Sequence, residues 1–323
     1  MRHQRLQEIL EGARSKRVLI AGDLILDEFV WGEVSRISPE APVPVVRVTG
    51  ESWFPGGAAN VARNVRELAG QVILLGATGD DEHGRRLVRI LEEAGIDTSG
   101  VIRDPARSTI VKTRVVAKHQ QVVRVDREQP GAGTIAPRIV EQIRAAAPVD
   151  AVIISDYAKG FITQEVADEF IGRLSHFPIV AVDPSPLNPI DWSGATAIKP
   201  NRAEALRAAN VLDGSGEAIE QVGLRLLEKW RAQFILLTLG EEGMMLFEQG
   251  RPPYHTPTRA REVFDVSGAG DTAIAAFTVA LASGATPKEA AVIANEASGI
   301  VVGKLGTAVA TREELLARGR EAR

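Results

Sequence analysis

The chain has 323 residues, including 38 lysines and arginines against 42 aspartates and glutamates, and its formal net charge is −4. This balance argues against a protein that wraps nucleic acid, and an aromatic content of 5% argues against a stacking platform for single strands. The absence of cysteine excludes a disulfide framework, a thiolate nucleophile and an iron–sulfur cluster.

The N-terminal residues 1–17 are rich in charge and lack the apolar core of a secretory signal. Farther along, the longest mostly apolar stretch covers only residues 273–281, far short of the roughly 20 residues that span a bilayer. We therefore expect a cytoplasmic protein with neither a membrane partner nor a nucleic-acid partner.

Short apolar runs alternate with helical patterns along most of the chain. The runs predict buried parallel strands at 18–21, 72–75, 151–154, 179–182 and 234–237. The patterns around them predict helices at 5–13, 58–68, 84–94, 135–147, 165–174, 217–231 and 273–281. This order is typical of an α/β fold, a doubly wound, mostly parallel sheet with helices on both faces. We expect residues 1–323 to form a single domain.

Two segments, at about 31–50 and 107–127, interrupt this alternation. The first combines prolines with an alternating strand pattern, and the second has two β-branched runs, 109–116 and 121–125. They predict an antiparallel hairpin and ribbon that form a small β-sheet lid on the carboxyl edge of the large sheet. Ligands of open α/β sheets bind at that edge. A surface hairpin with no ligand role is the alternative.

Several polar residues near the first strand are candidates for sugar binding. Gly56 and Gly57 precede a predicted helix and let the backbone approach a ligand closely, while Asn60 can donate to and accept from hydroxyl groups. Asp23 follows the first strand, and with nearby Asp27 it offers carboxylates for the same hydroxyls. The alternatives are a plain turn before a helix and a solvated loop acid.

The second lid segment carries a candidate phosphate-binding face. Lys112 and Arg114 lie on one side of the predicted strand by period-2 spacing, and Arg124 is close in sequence. Such a basic face is suited to a substrate phosphate. A solvated charged face is the simpler alternative.

Asn201 and Glu204 are three residues apart at the start of a predicted helix, so they share a face. They suit a polar pair that holds Mg²⁺-bound phosphate through water, because Mg²⁺ keeps much of its hydration shell. An ordinary capping box is the alternative, with Asn201 as the N-cap. Lys199, just before them, either touches nucleotide phosphates or is simply solvated.

The strongest local signal is the segment 265–272, DVSGAGDT, which runs into an apolar helix. Gly268 and Gly270 allow an unusual backbone path, and the helix start offers free N–H groups and a positive dipole end. Asp271 places a carboxylate beside this anion site. The combination suits phosphoryl transfer, with the carboxylate taking the proton of the attacking hydroxyl. A Gly-rich helix start with a capping aspartate is the alternative.

These segments resemble a known family. Residues 56–60, GGAAN, and 265–271, DVSGAGD, look like the two signatures of the ribokinase-like (PfkB) sugar kinases. The resemblance covers nearly the whole chain and is closest to the heptose-7-phosphate kinases, the kinase half of the bifunctional enzymes that make ADP-heptose for lipopolysaccharide. The segments typical of that branch are 35–45 (SRISPEAPVPV), 120–121 with Arg124 and Asp126, 155–160 (SDYAKG) and 301–307 (VVGKLGT).

The resemblance implies a ribokinase-like, doubly wound core with a small β lid, and a homodimer formed through the lid. It implies transfer of a phosphoryl group from ATP, with Mg²⁺, to the anomeric C1 hydroxyl of D-glycero-D-manno-heptose 7-phosphate. The product is the 1,7-bisphosphate. Whether a monovalent cation binds near the anion hole stays open.

The resemblance also implies roles for individual residues. Asp271 is the expected base, and Gly268, Ala269 and Gly270 form the expected anion hole. The expected ATP side comprises Asn201, Glu204, Thr238, Gly240 and Lys199, with Glu204 holding Mg²⁺ through water. The expected sugar side comprises Asp23, Gly56, Gly57 and Asn60. As a separate hypothesis, the 7-phosphate contacts Lys112, Arg114, Arg124 and Lys159.

Two other functions compete with this prediction. A different PfkB-type kinase would act on ribose, a fructose phosphate or a nucleoside, although a neutral sugar needs no basic lid. A non-catalytic sugar-phosphate sensor on the same scaffold is disfavoured by the intact Asp271 and its glycines.

Overall fold

A computed structural model of the chain describes residues 1–118, 120–128, 135–212, 214, 216–260 and 263–321. The strands in chain order are β1 (Arg17–Gly22), β2 (Leu24–Ile37), β3 (Pro44–Gly57), β4 (Gln71–Gly79), β5 (Val101–Asp104), β6 (Ile110–Ala117), β7 (Gln120–Arg127), β8 (Ala151–Ser155), β9 (Val180–Asp183), β10 (Ala197–Ile198), β11 (Phe234–Thr238), β12 (Met244–Glu248) and β13 (Tyr254–Thr256). The helices are α1 (His3–Ala13), α2 (Ala58–Leu68), α3 (Glu82–Glu93), α4 (Ala136–Ala145), α5 (Gln164–Ile171), α6 (Arg202–Ala208), α7 (Ile219–Trp230), α8 (Ala269–Ala282), α9 (Pro287–Val301) and α10 (Arg312–Glu321).

Nine strands form the central sheet, in the order β13-β12-β11-β10-β9-β8-β1-β4-β5. All neighbours pair in parallel except β11 with β12 and β12 with β13. Val18 of β1 is in register with Val72 of β4 on one side and with Ala151 of β8 on the other. Because β1 and β8 are covered on both faces, their sequences are continuous apolar runs rather than alternating ones. The expected mostly parallel sheet is therefore confirmed.

Helices cover both faces of this sheet. Val18 and Ile20 pack into one hydrophobic core with α1, α2, α3, α8 and α9. Leu19 and Ala21 point to the opposite core, which contains the buried faces of α4 to α7. The doubly wound arrangement predicted from the sequence follows from this alternation of side chains along the strands. No helix within the described residues is both long enough and apolar enough to cross a bilayer.

The second sheet has four strands in the order β3-β2-β6-β7 and is the small lid. Both hairpins are antiparallel, as predicted, but β2 and β6 pair in parallel, with Ile25 opposite Ile110. An antiparallel ribbon alone does not account for this pairing. It arises because β1 and β5 run in the same direction, so the chain leaves the main sheet at the same edge each time.

The first lid hairpin is longer than the predicted segment 31–50. Leu24 already pairs with Gly57, so the hairpin spans residues 24–57 and begins directly after β1. The buried side chains of Leu24 and Leu26 anchor the base of the hairpin in the core of the main domain. The lid is therefore joined to the carboxyl edge of the sheet through continuous strands.

Candidate active site

Asp271 lies in the first turn of α8, buried at the centre of the carboxyl edge. Two side chains donate hydrogen bonds to its carboxylate. Asn60 Nδ2 donates to Oδ2 at 2.7 Å, and the Tyr157 hydroxyl donates to Oδ1 at 2.7 Å. Asn60 comes from α2 and Tyr157 from the loop after β8, while Asp271 itself belongs to α8. Three separate elements therefore fix the plane of this carboxylate.

Burial dominates the electrostatics of Asp271. Removal from water disfavours the charged carboxylate and raises the pKa of Asp271 to about 7. The hydrogen bonds from Asn60 and Tyr157 and the charge of Lys199 oppose that rise, while the charge of Asp183 adds to it. A carboxylate with this pKa is suited to accept a proton near neutral pH.

Glycine is required at two positions around Asn60. Gly57 precedes α2 with φ +57°, and a Cβ there would lie 2.6 Å from the carbonyl oxygen of Asp23. Gly268 precedes α8 with φ +79°, and a Cβ there would lie 2.6 Å from Asn60 Nδ2. The glycines of the two sequence signatures therefore let α2 and α8 approach closely enough for Asn60 to reach Asp271.

The start of α8 forms the predicted anion site only in part from free amides. The Ala269 N–H already donates to the Val266 carbonyl oxygen at 3.3 Å. Asp265 shapes the preceding turn, because its carboxylate accepts from the N–H groups of Ser267 at 2.9 Å and Gly306 at 3.1 Å. The first turn still carries the positive end of the helix dipole next to Asp271.

Lys199 is buried rather than solvated, so the solvated alternative is wrong. Its Nζ forms an ion pair with Asp183 Oδ1 at 2.9 Å, and a Cβ on Gly270 would lie 3.3 Å from the same Nζ. Burial by itself lowers the pKa of Lys199, but the charges of Asp183 and Glu204 outweigh that effect and raise the pKa. A permanent cation therefore lies beside the start of α8.

Asn201 and Glu204 form the capping box named as the alternative. Asn201 Oδ1 accepts from the Glu204 N–H at 2.9 Å, and Glu204 Oε2 accepts from the Asn201 N–H at 2.7 Å. Burial and the nearby charge of Asp183 raise the pKa of Glu204. The box leaves the remaining Glu204 oxygen for another partner, so capping and a role toward ATP are compatible.

Thr238 and Gly240 lie next to this box. Thr238 at the end of β11 forms a β-bridge with Asn201, and its N–H donates to the Pro200 carbonyl oxygen at 3.0 Å. Gly240 has φ +63°, a conformation that favours glycine, and nothing crowds its Cβ position. The residues predicted for the ATP side are therefore brought together on one side of Asp271.

The donor set at this side fits a Mg²⁺ ion that arrives with ATP. Asp183 and Glu204 offer hard carboxylate oxygens; burial raises the pKa of both groups, and the charge of Asp183 adds to the rise at Glu204. Among the described residues, no group of three or more histidines and carboxylates could hold a metal ion. Two carboxylates suit Mg²⁺, which takes most of its remaining ligands from water and phosphate.

On the opposite side of Asp271, the residues predicted for the sugar have different surroundings. Gly56 faces Asp27, and a Cβ there would lie 2.3 Å from Asp27 Oδ2. Asp27 is buried and forms an ion pair with Arg114 at 2.5 Å. The Asp23 carboxylate, in contrast, accepts three backbone N–H groups of the loop after β8.

The four cations proposed for the 7-phosphate, three in the lid and Lys159 in the loop after β8, differ in their partners. Arg114 is paired with Asp27, Arg124 with Asp126 on its own strand at 2.8 Å, and Lys159 with Glu128 at 2.7 Å. Lys112 is partly buried, lies 5.8 Å from the centre of the Tyr157 ring and has no ion pair among the described residues. Burial lowers the pKa of Lys112, with the charges of Asp27 and Asp126 opposing.

Sequence reasoning assigned no role to two residues that the structure places at the centre. Tyr157 lies in the segment 155–160, which was singled out only for resemblance. Asp183 follows a predicted strand at its carboxyl end, which is where polar ligand-binding residues of α/β sheets are expected. The place of Asp183 at the carboxyl edge therefore follows from the strand pattern of the sequence, whereas no sequence pattern indicates that the Tyr157 hydroxyl contacts Asp271.

Residues 21–314 match the pfkB family of carbohydrate kinases. A relative from Magnetococcus marinus named bifunctional protein HldE is 42% identical over 307 residues, covering 93% of this chain and 63% of the relative. A protein of the same name from Caulobacter vibrioides is 44% identical over 306 residues, with 94% and 63% covered. The chain thus spans somewhat less than two thirds of the length of these relatives.

Solved structures have the same fold. Phosphofructokinase-2 from Escherichia coli, in complex with substrates and products, superposes with a TM-score of 0.78 at 18% identity, covering 95% of this chain and 100% of that chain. Ribokinase from Thermotoga maritima gives 0.76 at 24% identity, covering 94% and 98%. At these identities the likeness establishes the ribokinase-like fold. The match over residues 21–314 shows that the chain belongs to the pfkB family of carbohydrate kinases, phosphotransferases that act on an alcohol group.

Proposed function

We propose that the chain transfers the γ-phosphoryl group of ATP to the anomeric C1 hydroxyl of D-glycero-D-manno-heptose 7-phosphate, giving the 1,7-bisphosphate and ADP. The observation that carries the phosphoryl-transfer step is the buried Asp271 at the start of α8, held by two donors. The substrate is supported by the branch-typical segments of the sequence and by the similarity to the HldE proteins. This reaction places the chain in ADP-heptose formation for lipopolysaccharide.

In the proposed step, Asp271 accepts the proton of the C1 hydroxyl while the hydroxyl oxygen forms a bond to the γ-phosphorus. The bond between that phosphorus and the bridging oxygen of ADP breaks, and ADP leaves with the electron pair. The dipole of α8, the amides of Gly268 and Gly270, and the Lys199 ammonium stabilise the negative charge on the moving phosphoryl group. The Ala269 N–H already donates to the Val266 carbonyl oxygen, so Ala269 adds little to this stabilisation through its amide.

ATP lies on the side of Asn201, Glu204, Thr238 and Gly240 in this proposal. Glu204 would hold Mg²⁺ through water, and Asp183 is the second carboxylate within that region. The ion would supply neutralisation of the phosphate charge when bound.

The sugar lies between Asp271 and the lid. Asn60, Gly56 and Gly57 line its inner side, and Asp27 offers a carboxylate to the hydroxyls there. The 7-phosphate extends toward Lys112, with Arg114, Lys159 and Arg124 farther along the same basic face. Transfer to water is suppressed when the lid closes on the sugar phosphate, because water is then excluded from the γ-phosphate.

We also propose that the lid joins two copies of this chain. β7 is an edge strand, and all eight of its residues are exposed, including Val122, Val123 and Val125. An exposed edge with apolar side chains is a ready surface for pairing with another strand. Sedimentation of the wild-type protein should give a dimer, and Val123→Lys should give a monomer; a wild-type monomer at assay concentration would contradict this assignment.

The test of function is a coupled ADP-release assay with Mg²⁺-ATP against heptose 7-phosphate, fructose 6-phosphate, ribose and fructose, with phosphorus NMR on each product. We expect the highest kcat/KM with heptose 7-phosphate and a new anomeric phosphate signal. A preference for another sugar would overturn the substrate and retain the kinase. ADP release that does not depend on any sugar would overturn the transfer step.

A further inference from the structure

Asp23 is buried at the carboxyl end of β1, and its carboxylate is bound by the backbone of one loop. Oδ2 accepts the N–H groups of Tyr157 at 2.9 Å and Lys159 at 3.1 Å, and Oδ1 accepts that of Phe161 at 3.1 Å. Three alternate amides of the 156–161 loop thus converge on one side chain. Oδ2 already accepts two N–H groups, Oδ1 accepts one, and the residue is only 2% exposed, so this group resembles a loop anchor more than a sugar ligand.

The main chain of Asp23 has a second attachment. Its carbonyl oxygen accepts the N–H of Ala58 at 3.0 Å, and Ala58 is the first residue of α2, the helix that carries Asn60. A single residue is therefore bonded to both elements that supply hydrogen-bond donors to Asp271, α2 with Asn60 and the loop with Tyr157.

The 156–161 loop is also fixed from its other side. Asp156 Oδ1 accepts from the Ala158 N–H at 2.8 Å and from Asn188 Nδ2 at 3.2 Å. Ala158 has φ +56° and Gly160 has φ +88°, so the backbone turns sharply twice to present its amides to Asp23. With both sides held, the Tyr157 hydroxyl has one well-defined position, 2.7 Å from Asp271 Oδ1.

We propose that Asp23 and Tyr157 are positioning residues for the base: Asp23 anchors the 156–161 loop, and the loop delivers the Tyr157 hydroxyl as a second donor to Asp271. This inference rests on Asp271 being the base, as proposed above. It also reassigns Asp23, which the sequence resemblance placed on the sugar.

The chemistry of the base explains why a second donor is useful. Each carboxylate oxygen has two lone pairs, so Oδ1 can accept from Tyr157 and still face a sugar hydroxyl. Two donors on opposite oxygens hold the carboxylate in one plane before the substrate arrives. Both also favour the ionised form of a buried acid, against the charge of Asp183 and together with that of Lys199.

The main test is Tyr157→Phe, which removes only the hydroxyl. The readout is the pH profile of kcat/KM for heptose 7-phosphate at saturating Mg²⁺-ATP, because kcat/KM reports the free enzyme. In Tyr157→Phe the ionised Asp271 loses one hydrogen-bond donor, so the acid limb of the profile should move to higher pH by about one unit. At pH 7 this shift should lower kcat/KM about fivefold relative to the wild type, and at pH 9 the two values should agree within about twofold.

Tyr254→Phe is the matched control, because the chain has two tyrosines and Tyr254 lies in β13 at the far edge of the main sheet. Its profile should superimpose on that of the wild type. An unshifted limb in Tyr157→Phe, or a loss that is the same at every pH, would overturn the inference.

Asp23→Asn tests the anchor. The amide cannot accept at its nitrogen, so part of the loop attachment is lost while the bond to Ala58 is kept. We expect the acid limb to shift in the same direction, and the Tyr157→Phe/Asp23→Asn double variant to shift no farther than the larger single effect. If Asp23→Asn instead raises only the KM for the sugar and leaves the limb in place, Asp23 is a sugar ligand.

Failure of the proposed function is recognised separately. Full activity in Asp271→Asn removes the base assignment, whatever Tyr157→Phe does. A carboxyl ¹³C NMR titration, with the Asp271 signal assigned by its loss in Asp271→Asn, measures the same shift without any turnover. A higher pKa of Asp271 in Tyr157→Phe than in the wild type supports the positioning role, and the same pKa in both proteins contradicts it. This outcome does not depend on which sugar is the substrate.

Discussion

The surroundings of Asp271 and the basic face of the lid both hold charged groups, but they are built differently. Asp271 is held by donors from α2 and the 156–161 loop, 211 and 114 residues away in sequence. The lid cation Arg124 is held by Asp126, two residues away on its own exposed strand. The first arrangement depends on the whole fold, and the second is local.

This difference predicts how each region works. A buried carboxylate fixed by distant elements is arranged before the substrate binds and loses little freedom in the reaction. An exposed cation that is already paired must give up a carboxylate partner to bind a phosphate, so its net contribution is small. Lys112, which is partly buried and has no ion pair among the described residues, is the exception within the lid.

The largest expected effect is that of Asp271→Asn. The amide cannot take the proton of the attacking hydroxyl, so kcat should fall by about 10²–10⁴-fold. ATP binding, measured by calorimetry, should stay within about threefold of the wild type, because the nucleotide side is separate. Asp80→Asn, at an exposed acid that pairs with Arg85, is the control and should retain full activity. Turnover above a tenth of the wild-type rate in Asp271→Asn would contradict the base assignment.

Lys199→Met should give the largest loss of stability. The variant leaves Asp183, whose side chain is only 15% exposed, without its cation, which should lower the free energy of unfolding by about 3–5 kcal/mol. Urea denaturation of the nucleotide-free protein measures this change. The Lys199→Met/Asp183→Asn double variant should be more stable than Lys199→Met alone, because no unpaired charge then remains. If the losses of unfolding free energy in Lys199→Met and Asp183→Asn simply add in the double variant, the broken ion pair is not the cause of the instability.

Within the lid, Lys112 and Arg124 form a matched comparison. Lys112→Met should raise the KM for heptose 7-phosphate by about 10- to 100-fold, the loss of one or two charge-assisted hydrogen bonds. Arg124→Gln should change it by less than about threefold, since Asp126 already occupies that guanidinium. If Arg124→Gln raised this KM more than Lys112→Met did, the 7-phosphate would instead bind near Arg124 on β7.

The fold was predictable where one physical cause dominated. Continuous apolar runs identified β1 and β8, and the predicted start of α2 agrees with the structure. In contrast, α8 begins at Ala269, four residues before the predicted start at residue 273. The strands β12 and β13 were not predicted, because β12 (Met244–Glu248) is paired on both sides and buried along most of its length, so its sequence lacks the alternation of a half-exposed strand. The parallel pairing of β2 with β6 depends on where the chain leaves the main sheet, which no local pattern records.

The site shows the same division. Asn60 and Asp271 were identified through signatures whose glycines are needed for close approach. Lys199 looked ambiguous, because a lysine beside Pro200 is usually solvated, and only its pairing with Asp183 makes burial tolerable. Tyr157 was not assigned, because its loop is held by three amide contacts to Asp23, a residue more than 130 positions earlier in the chain.

The smallest of these effects is the pH dependence of the wild-type enzyme. Burial raises the pKa of Asp271 to about 7, and only the ionised base accepts a proton, so kcat/KM should be flat above pH 8 and fall about tenfold per unit below pH 7. Asp156, which burial also raises to a pKa of about 7, would give a similar limb if it were the essential acid. Asp156→Asn separates the two. The limb should persist in that variant, because the group that titrates is still present. A limb near pH 4 in the wild type would instead mean that Asp271 keeps an ordinary carboxyl pKa, and a limb that disappears in Asp156→Asn would transfer the essential ionisation to the 156–161 loop.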